Sequence, residues 1–241
     1  MRRRFFVDEI RNGQAEMGEE DARHLVRVLR VERGQRFEIS DTRSVYLAEV
    51  AEAHKRRVLF RVIEPVSPAP ETVRVTLLAA LVKFDRFEWL IEKTTEAGVG
   101  IIIPLQAERS EKGIEKAAPK RIERWRKIAR ESSQQARRLA PPEIREPVDW
   151  HGVSTGAELL LCLDEAAEAP LLSALPVERR PGAEVMLAVG PEGGWTDRER
   201  DRWQALGFKA VSLGGTILRA ETAAVVAVAA VRMAWETPTV R

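Results

Sequence analysis

Val189-Gly-Pro-Glu-Gly-Gly-Trp-Thr196 decides how the rest of this chain is read. Before it, Glu184-Val-Met-Leu-Ala-Val189 is an apolar run of strand length. After it, Thr196-Asp-Arg-Glu199 is a capping-box pattern, in which the threonine side chain satisfies one orphan amide and the glutamate reaches back to another. A glycine-rich loop between a strand and a capped helix is where open α/β sheets hold ligands, because strand ends leave a crevice and helix amides point into it. Glycine also lets the main chain come close to a ligand. Neither the P-loop pattern nor GxGxxG spacing is present, so a phosphate cradle is not indicated. A nucleoside-type ligand and a plain structural turn both stay open.

The arrangement recurs at Leu213-Gly-Gly-Thr-Ile-Leu-Arg-Ala-Glu-Thr222, between a strand over 209–213 and a final helix over 219–235. That helix is nearly all apolar over 223–231, which predicts burial on most of its faces. Arg219 and Glu221 at its mouth are either a solvated helix end, with Glu221 favoured by the helix dipole, or an electrostatic site beside a bound ligand. Two such loops at strand ends favour the second reading.

Working outward, strand and helix alternate. Residues 73–82 read as a strand apolar on both faces, 84–98 as a helix stopped by Gly98, and 99–105 as a strand. Residues 119–139 read as a long helix and 158–163 as a strand; the helix begun at Thr196 ends near Gly207. This pattern predicts a mainly parallel α/β sheet. The N-terminal part differs: short β-like runs at 4–7, 35–40, 45–50 and 57–62, with a helical stretch around 21–29, suggest a small β-barrel or sandwich. The stiff Pro65-Val-Ser-Pro-Ala-Pro70 segment then marks a boundary, giving expected domains over 1–66 and 73–241.

Composition narrows the function. With 241 residues and 44% apolar content, the chain can bury a real core and is not a disordered one. Its single cysteine, Cys162, allows no internal disulfide and no zinc cluster, which fits the cytoplasm. Three histidines, His24, His54 and His151, make a histidine-rich metal site improbable, so no metal is expected. No stretch reads as a signal peptide, and 223–231, the most apolar run, is too short for a bilayer, so no membrane partner is expected. The net charge of +2 conceals two arginine-rich regions. One comprises Arg2, Arg3, Arg4, Arg23, Arg27, Arg30, Arg33 and Arg36; the other runs over 120–138, with only Glu123 and Glu131 against it. Clustered guanidinium groups suit nucleic-acid phosphate, the alternative being solvated helix faces.

The two loops, GPEGGW and LGGTILRAETA, resemble the signature of the RsmE family, the small-subunit ribosomal RNA uridine-N3 methyltransferases of the SPOUT superfamily. Lys83-Phe-Asp-Arg86, Glu92-Lys-Thr-Thr-Glu-Ala-Gly98, Ile103-Pro104 and His24-Leu-Val-Arg-Val-Leu-Arg30 are similar to further elements of that family, in the same order. The resemblance implies a PUA-like RNA-binding β-barrel followed by a SPOUT-type parallel-sheet α/β domain with a deep trefoil knot. It implies S-adenosyl-L-methionine as cofactor, cradled by Leu163, Gly190, Pro191, Glu192, Gly193, Leu213, Gly214, Ile217 and Leu218. It also implies a homodimer through the last helix, with ribosomal RNA or the small ribosomal subunit as partner. Arg2, Arg3, Arg4, Arg23, Arg27, Arg30, Lys83 and Arg86 are then the expected RNA contacts. The chain departs from the family at Thr216, where arginine is usual, and at Ala97, where leucine is usual.

Methyl transfer to uridine N3 needs the nitrogen aligned with the methyl group, a proton acceptor for the imide, and stabilisation of charge on a uracil oxygen. Arg219 is the expected charge stabiliser, with Glu221 or Glu192 as proton acceptor or positioning group. Two other functions stay open: a SPOUT enzyme acting on a different base or a ribose 2′-hydroxyl, and a non-catalytic RNA-binding ribosome-assembly factor.

Overall fold

The computed structural model describes residues 3–237, apart from the side chain of Glu20. Arg2, one of the expected RNA contacts, lies outside the described residues. The chain divides into two compact units. The first holds the described residues up to Pro70 together with Ser133–Pro141; the second holds Glu71–Ser132 and the described residues from Pro142 onward. A contiguous division into 1–66 and 73–241 does not anticipate that second segment of the first unit.

In the first unit, β1 (Arg4–Phe6), β2 (Ile10–Arg11), β3 (Gln14–Met17), β4 (Arg36–Ser40), β5 (Val45–His54) and β6 (Arg57–Val66) form one mixed sheet, ordered β1-β4-β5-β6-β3-β2. Only β1 and β4 pair in parallel. The β2–β3 hairpin was not foreseen, although its signal is plain: Asn12 and Gly13 both have positive φ, 50° and 72°, as a type I′ turn requires. Helix α1 (Glu19–Arg27) places Ala22 and Leu25 in a core with Phe5, Ile39, Val50 and Phe60. Arg4 and Glu38 are also buried here, 5% and 4% exposed. Arg4 donates to the Glu38 carboxylate from Nε (3.1 Å) and Nη2 (2.8 Å), and Arg137 binds the same carboxylate. Burial would push the Glu38 carboxyl up; hydrogen bonds from Arg137 and Arg4 outweigh it and hold it below its ordinary value.

The second unit runs β7 (Val73–Ala80), α2 (Phe84–Glu96), β8 (Ile101–Leu105), the short α3 (Ile114–Ala117), and α4 (Ile122–Gln135), whose end already counts with the first unit. It continues through β9 (Glu143–Ile144), β10 (Leu159–Leu163), α5 (Leu171–Ala174), β11 (Ala183–Val189), α6 (Asp197–Ala205), β12 (Lys209–Val211) and α7 (Ala220–Glu236). The long helix expected over 119–139 begins as a 3-10 turn and stops at Gln135, and Arg137 has the left-handed φ of 55°. The six strands form an all-parallel sheet ordered β12-β10-β11-β7-β8-β9. Along β7 the side chains alternate between two cores. Val75, Leu77 and Ala79 meet Phe87, Leu90 and Ile91 of α2 and Ala224, Val228 and Val231 of α7. Leu78 and Ala80 meet Trp150, Trp195, Trp203 and Phe208 on the other face. Covering both faces is what a parallel sheet of apolar strands demands.

Helix α7 corrects one expectation. It buries a single stripe, Ala220, Ala224, Ala227, Val228, Val231 and Trp235, rather than most of its surface. Val226 and Met233 stay 40% and 66% exposed, on the side away from the buried stripe that packs on α2, α5, β7 and β11.

Candidate cofactor and RNA site

Strands β12, β10 and β11 are neighbours and parallel, so the segments that follow them emerge at one edge of the sheet. Those segments, Leu163–Glu165, Gly190–Trp195 and 212–219, line a cleft of about 690 Å³. Arg86 of α2 and Ala220 and Ala223 of α7 complete its wall. The structure therefore brings together Leu163, Gly190, Pro191, Glu192, Gly193, Leu213, Gly214, Ile217 and Leu218, drawn from three separate parts of the sequence. Thr216 lines the same cleft and is exposed.

The glycine loop is held in place from beneath. A Cβ on Gly190 would stand 2.9 Å from Cε2 of Trp195, so only glycine fits over that ring. Trp195 is itself fixed: its Nε1 donates to the Leu163 carbonyl at 2.8 Å, and its ring meets Trp150 edge-on at 5.4 Å. Gly194 has φ +68°, and a Cβ there would stand 2.8 Å from Oε1 of Glu165. Arg109 Nη1 donates to the Gly193 carbonyl at 2.6 Å.

The capping box at the start of α6 forms as expected, but Glu199 does more than cap. Its carboxylate is 2% exposed and also accepts from the Glu108 amide (2.9 Å) and Trp150 Nε1 (3.3 Å). Arg200, one residue on, grips Asp164 with Nε (2.7 Å) and Nη2 (3.2 Å) and donates from Nη1 to the Trp195 carbonyl (3.0 Å). Burial would push the Asp164 carboxyl up; the Arg200 hydrogen bond and the Ala166 amide outweigh it and hold it low. Asp164, Arg109, Arg200 and this second role of Glu199 are absent from the sequence-based site. Their one sequence signal is Asp164-Glu165, an acidic pair directly after an apolar strand.

Among the expected chemical groups, Arg219 is the exposed N-cap residue of α7 and lines the cleft. Glu221 turns inward, 8% exposed, and its Oε2 has no hydrogen-bond partner among the described residues. Glu192 forms an ion pair with Arg86 at the cleft. Arg86, expected as an RNA contact, thus engages the glycine loop.

The remaining expected RNA contacts separate. Arg3, Arg23, Arg27 and Arg30 of the first unit are exposed, Arg23 being paired with Glu19 at 2.8 Å. Arg4 is withdrawn from the set, because the buried Glu38 and Arg137 hold its guanidinium where a phosphate would have to displace a carboxylate. Lys83 is exposed before α2. In the second arginine-rich region, Arg121 and Arg124 both bind Glu88 of α2, so part of that cluster fastens two helices. Among the described residues no group of His, Cys, Asp and Glu could hold a metal ion, and no helix is long and apolar enough to cross a membrane.

Comparison with known proteins agrees with this geometry. Residues 69–232 match the RNA methyltransferase domain family, and residues 18–63 match the RNA methyltransferase PUA domain. The chain is 35% identical to the ribosomal RNA small subunit methyltransferase E of Synechocystis over 86% of its own length and 68% of the relative's. It is 30% identical to the protein of that name from Aquifex aeolicus, over 92% and 95%. A ribosomal RNA small subunit methyltransferase E from Neisseria gonorrhoeae, solved bound to S-adenosyl methionine, superposes with TM-score 0.86 at 26% identity, covering 98% of each chain. A methyltransferase of Legionella pneumophila solved with bound SAM also gives 0.86, at 28% identity over 97% of this chain and 98% of that one. The fold is the SPOUT-type α/β methyltransferase architecture with an N-terminal PUA domain. With its strand-end cleft, its two glycine loops and relatives matched over most of their length, the chain belongs to the ribosomal RNA small subunit methyltransferase E family.

Proposed function

We propose that this chain transfers a methyl group from S-adenosylmethionine to N3 of a uridine in the 16S RNA of the small ribosomal subunit. One observation carries the proposal: a single cleft at the ends of three adjacent parallel strands unites both glycine loops, in a chain that superposes over nearly its whole length on relatives solved with this cofactor. The cleft suits the ligand. About 690 Å³ falls within the range of small-molecule sites, with apolar side chains (Leu163, Leu213, Ile217, Leu218) for an adenosyl group and carboxylates (Glu165, Glu192) for a cationic one.

When bound, S-adenosylmethionine supplies an activated methyl group. The chain's own residues then have three tasks. The loops hold the methyl in line with N3, since displacement fails if the reacting atoms are misaligned. Arg219, exposed at the cleft, stabilises the negative charge that reaches a uracil oxygen as N3 loses its proton. Glu221 or Glu192 accepts that proton or positions the base; Glu192 lines the cleft, paired with Arg86, whereas Glu221 is buried and does not line it. N3–methyl bond formation, loss of the imide proton and departure of the thioether then balance.

A paired uridine hides N3, so the target base must be unstacked. The PUA domain, with Arg3, Arg23, Arg27 and Arg30, holds the flanking RNA. The apolar outer face of α7, with Val226 and Met233, is the face of a homodimer, the trefoil knot belongs to the same reading, and the enzyme works in the cytoplasm. Incubation with methyl-labelled S-adenosylmethionine and either small subunits or free ribosomal RNA, followed by nucleoside mapping, tests the proposal. Label on uridine N3 is expected; label on ribose or another base points to a different SPOUT activity, and no label points to an assembly factor. Arg219→Ala should lower kcat by about 10²-fold with unchanged cofactor affinity.

A further inference from the structure

The two walls of the cofactor cleft belong to different loops, and the hydrogen bonds joining them converge on a residue outside the cleft. One wall is the segment after β10, Leu163 to Glu165; the other is the glycine loop after β11, ending at Trp195. Arg200 lies in the first part of α6 and does not line the cleft. Its guanidinium is bidentate to the Asp164 carboxylate and donates to the Trp195 carbonyl as well, with a longer contact to Asp197 at 3.4 Å. Asp164 is in turn seated by the Ala166 amide (3.0 Å), and its side chain is only 4% exposed. Just above this junction the same two loops meet again, Trp195 Nε1 on the Leu163 carbonyl and Gly194 against Glu165.

We infer that Arg200 is a positioning residue for cofactor binding: its planar fork, held by Asp164 and the Trp195 carbonyl together, sets the separation of the two loops that grip S-adenosylmethionine. The inference rests on the proposed cofactor. The planar fork explains the residue type. A planar fork with several donors in fixed directions grips a carboxylate with two bonds and a carbonyl on another loop with a third. A lysine has the charge but lacks the fixed geometry. Without Arg200, Asp164 keeps the Ala166 amide but loses its counter-charge, and the cheapest relaxation is for its loop to move toward water, which widens the cleft.

Isothermal titration of the full chain with S-adenosylmethionine, alongside KM and kcat on small subunits, tests this. Arg200→Ala should weaken cofactor binding and raise its KM by about tenfold, as loss of charge-assisted hydrogen bonds implies, with kcat at saturating cofactor little changed. Arg200→Lys should recover part of the affinity. The double variant Asp164→Leu with Arg200→Met replaces the pair by apolar side chains; it should regain thermal stability without regaining affinity. If Arg200→Ala binds the cofactor as the parent does, or if the apolar pair restores affinity together with stability, Arg200 is only a structural residue and the inference is overturned. If the parent chain itself binds no S-adenosylmethionine, the proposed function falls and takes the inference with it, a result distinct from the first.

Discussion

Substituting Gly190 by alanine isolates one contact on which the glycine loop depends. The added methyl would lie 2.9, 3.2 and 3.3 Å from Cε2, Cζ2 and Cδ2 of Trp195, closer than carbon atoms normally approach. The indole cannot swing away, being 1% exposed, bonded to the Leu163 carbonyl and packed on Trp150. Overfilling a tight core costs about 1–3 kcal/mol. Gly190 is not among the positive-φ glycines, so alanine also restricts the unfolded chain and returns about 0.4–1 kcal/mol. The net loss is about 1–2 kcal/mol, which for a chain of this size lowers Tm by roughly 2–8 °C. Cδ2 and Cε2 are the fusion atoms of the indole and Cζ2 lies on its six-membered ring, so truncation of residue 195 to alanine removes all three. Thermal melts of Gly190→Ala, Trp195→Ala and the double variant should therefore show a coupling of about 1 kcal/mol, the Gly190 substitution costing far less once the indole is gone. Strict additivity, or an unchanged Tm in Gly190→Ala, would refute the reasoning.

Further outcomes follow from the buried carboxylates and the cap that shares one of them. Glu38→Ala leaves the Arg4 guanidinium buried without its carboxylate and should destabilise the first unit by about 3–5 kcal/mol in denaturant titration, far more than Arg23→Ala at an exposed pair. Glu199→Gln turns an amide group toward two of the four donors around that carboxylate, at a cost of about 2–4 kcal/mol. Thr196→Ala, which removes the cap and one of those four donors, should cost about 1 kcal/mol in the same chemical denaturation series. Glu38 and Asp164 are both held below their ordinary values, so their stabilisation is complete above the unfolded-state pKa and is lost as pH falls through the lower folded ones. Stability measured from pH 7 downward should begin to fall near about pH 4, and Asp164→Asn should flatten part of that slope.

The parallel sheet and both glycine loops were legible because their signals are local. Val189 ends an apolar run, Thr196 and Glu199 are spaced as a cap, and Leu213 to Thr222 stands between a strand and a helix. The groups that stiffen the site were not legible, because each joins distant parts of the chain. Arg200 meets Asp164 across 36 positions, and Glu199 meets Glu108 across 91. Arg4 reads as one more residue of an arginine run until the fold brings Glu38 and Arg137 to it. Apolar pattern alone could not end the helix at Gln135, since its last three residues and those that follow count with a different packed unit. The missed β2–β3 hairpin is a different case: Asn12-Gly13 announced it, but its strands are too short for alternation to register.

The two-segment make-up of the first unit also sets an order for its birth on the ribosome. Synthesis up to Pro70 delivers the sheet but neither Arg137, which helps neutralise Glu38, nor the Leu139 carbonyl that accepts from Ser40 Oγ at 2.7 Å. Those groups emerge only after β7, α2, β8 and α4 have been made. The nascent RNA-binding module must therefore wait, with the buried Arg4–Glu38 pair lacking its third partner, while the beginning of the methyltransferase sheet is translated. A fragment cut at Pro70 should show the same deficit permanently, and restoring it calls for the strand of chain through Pro141 rather than any change within the fragment itself.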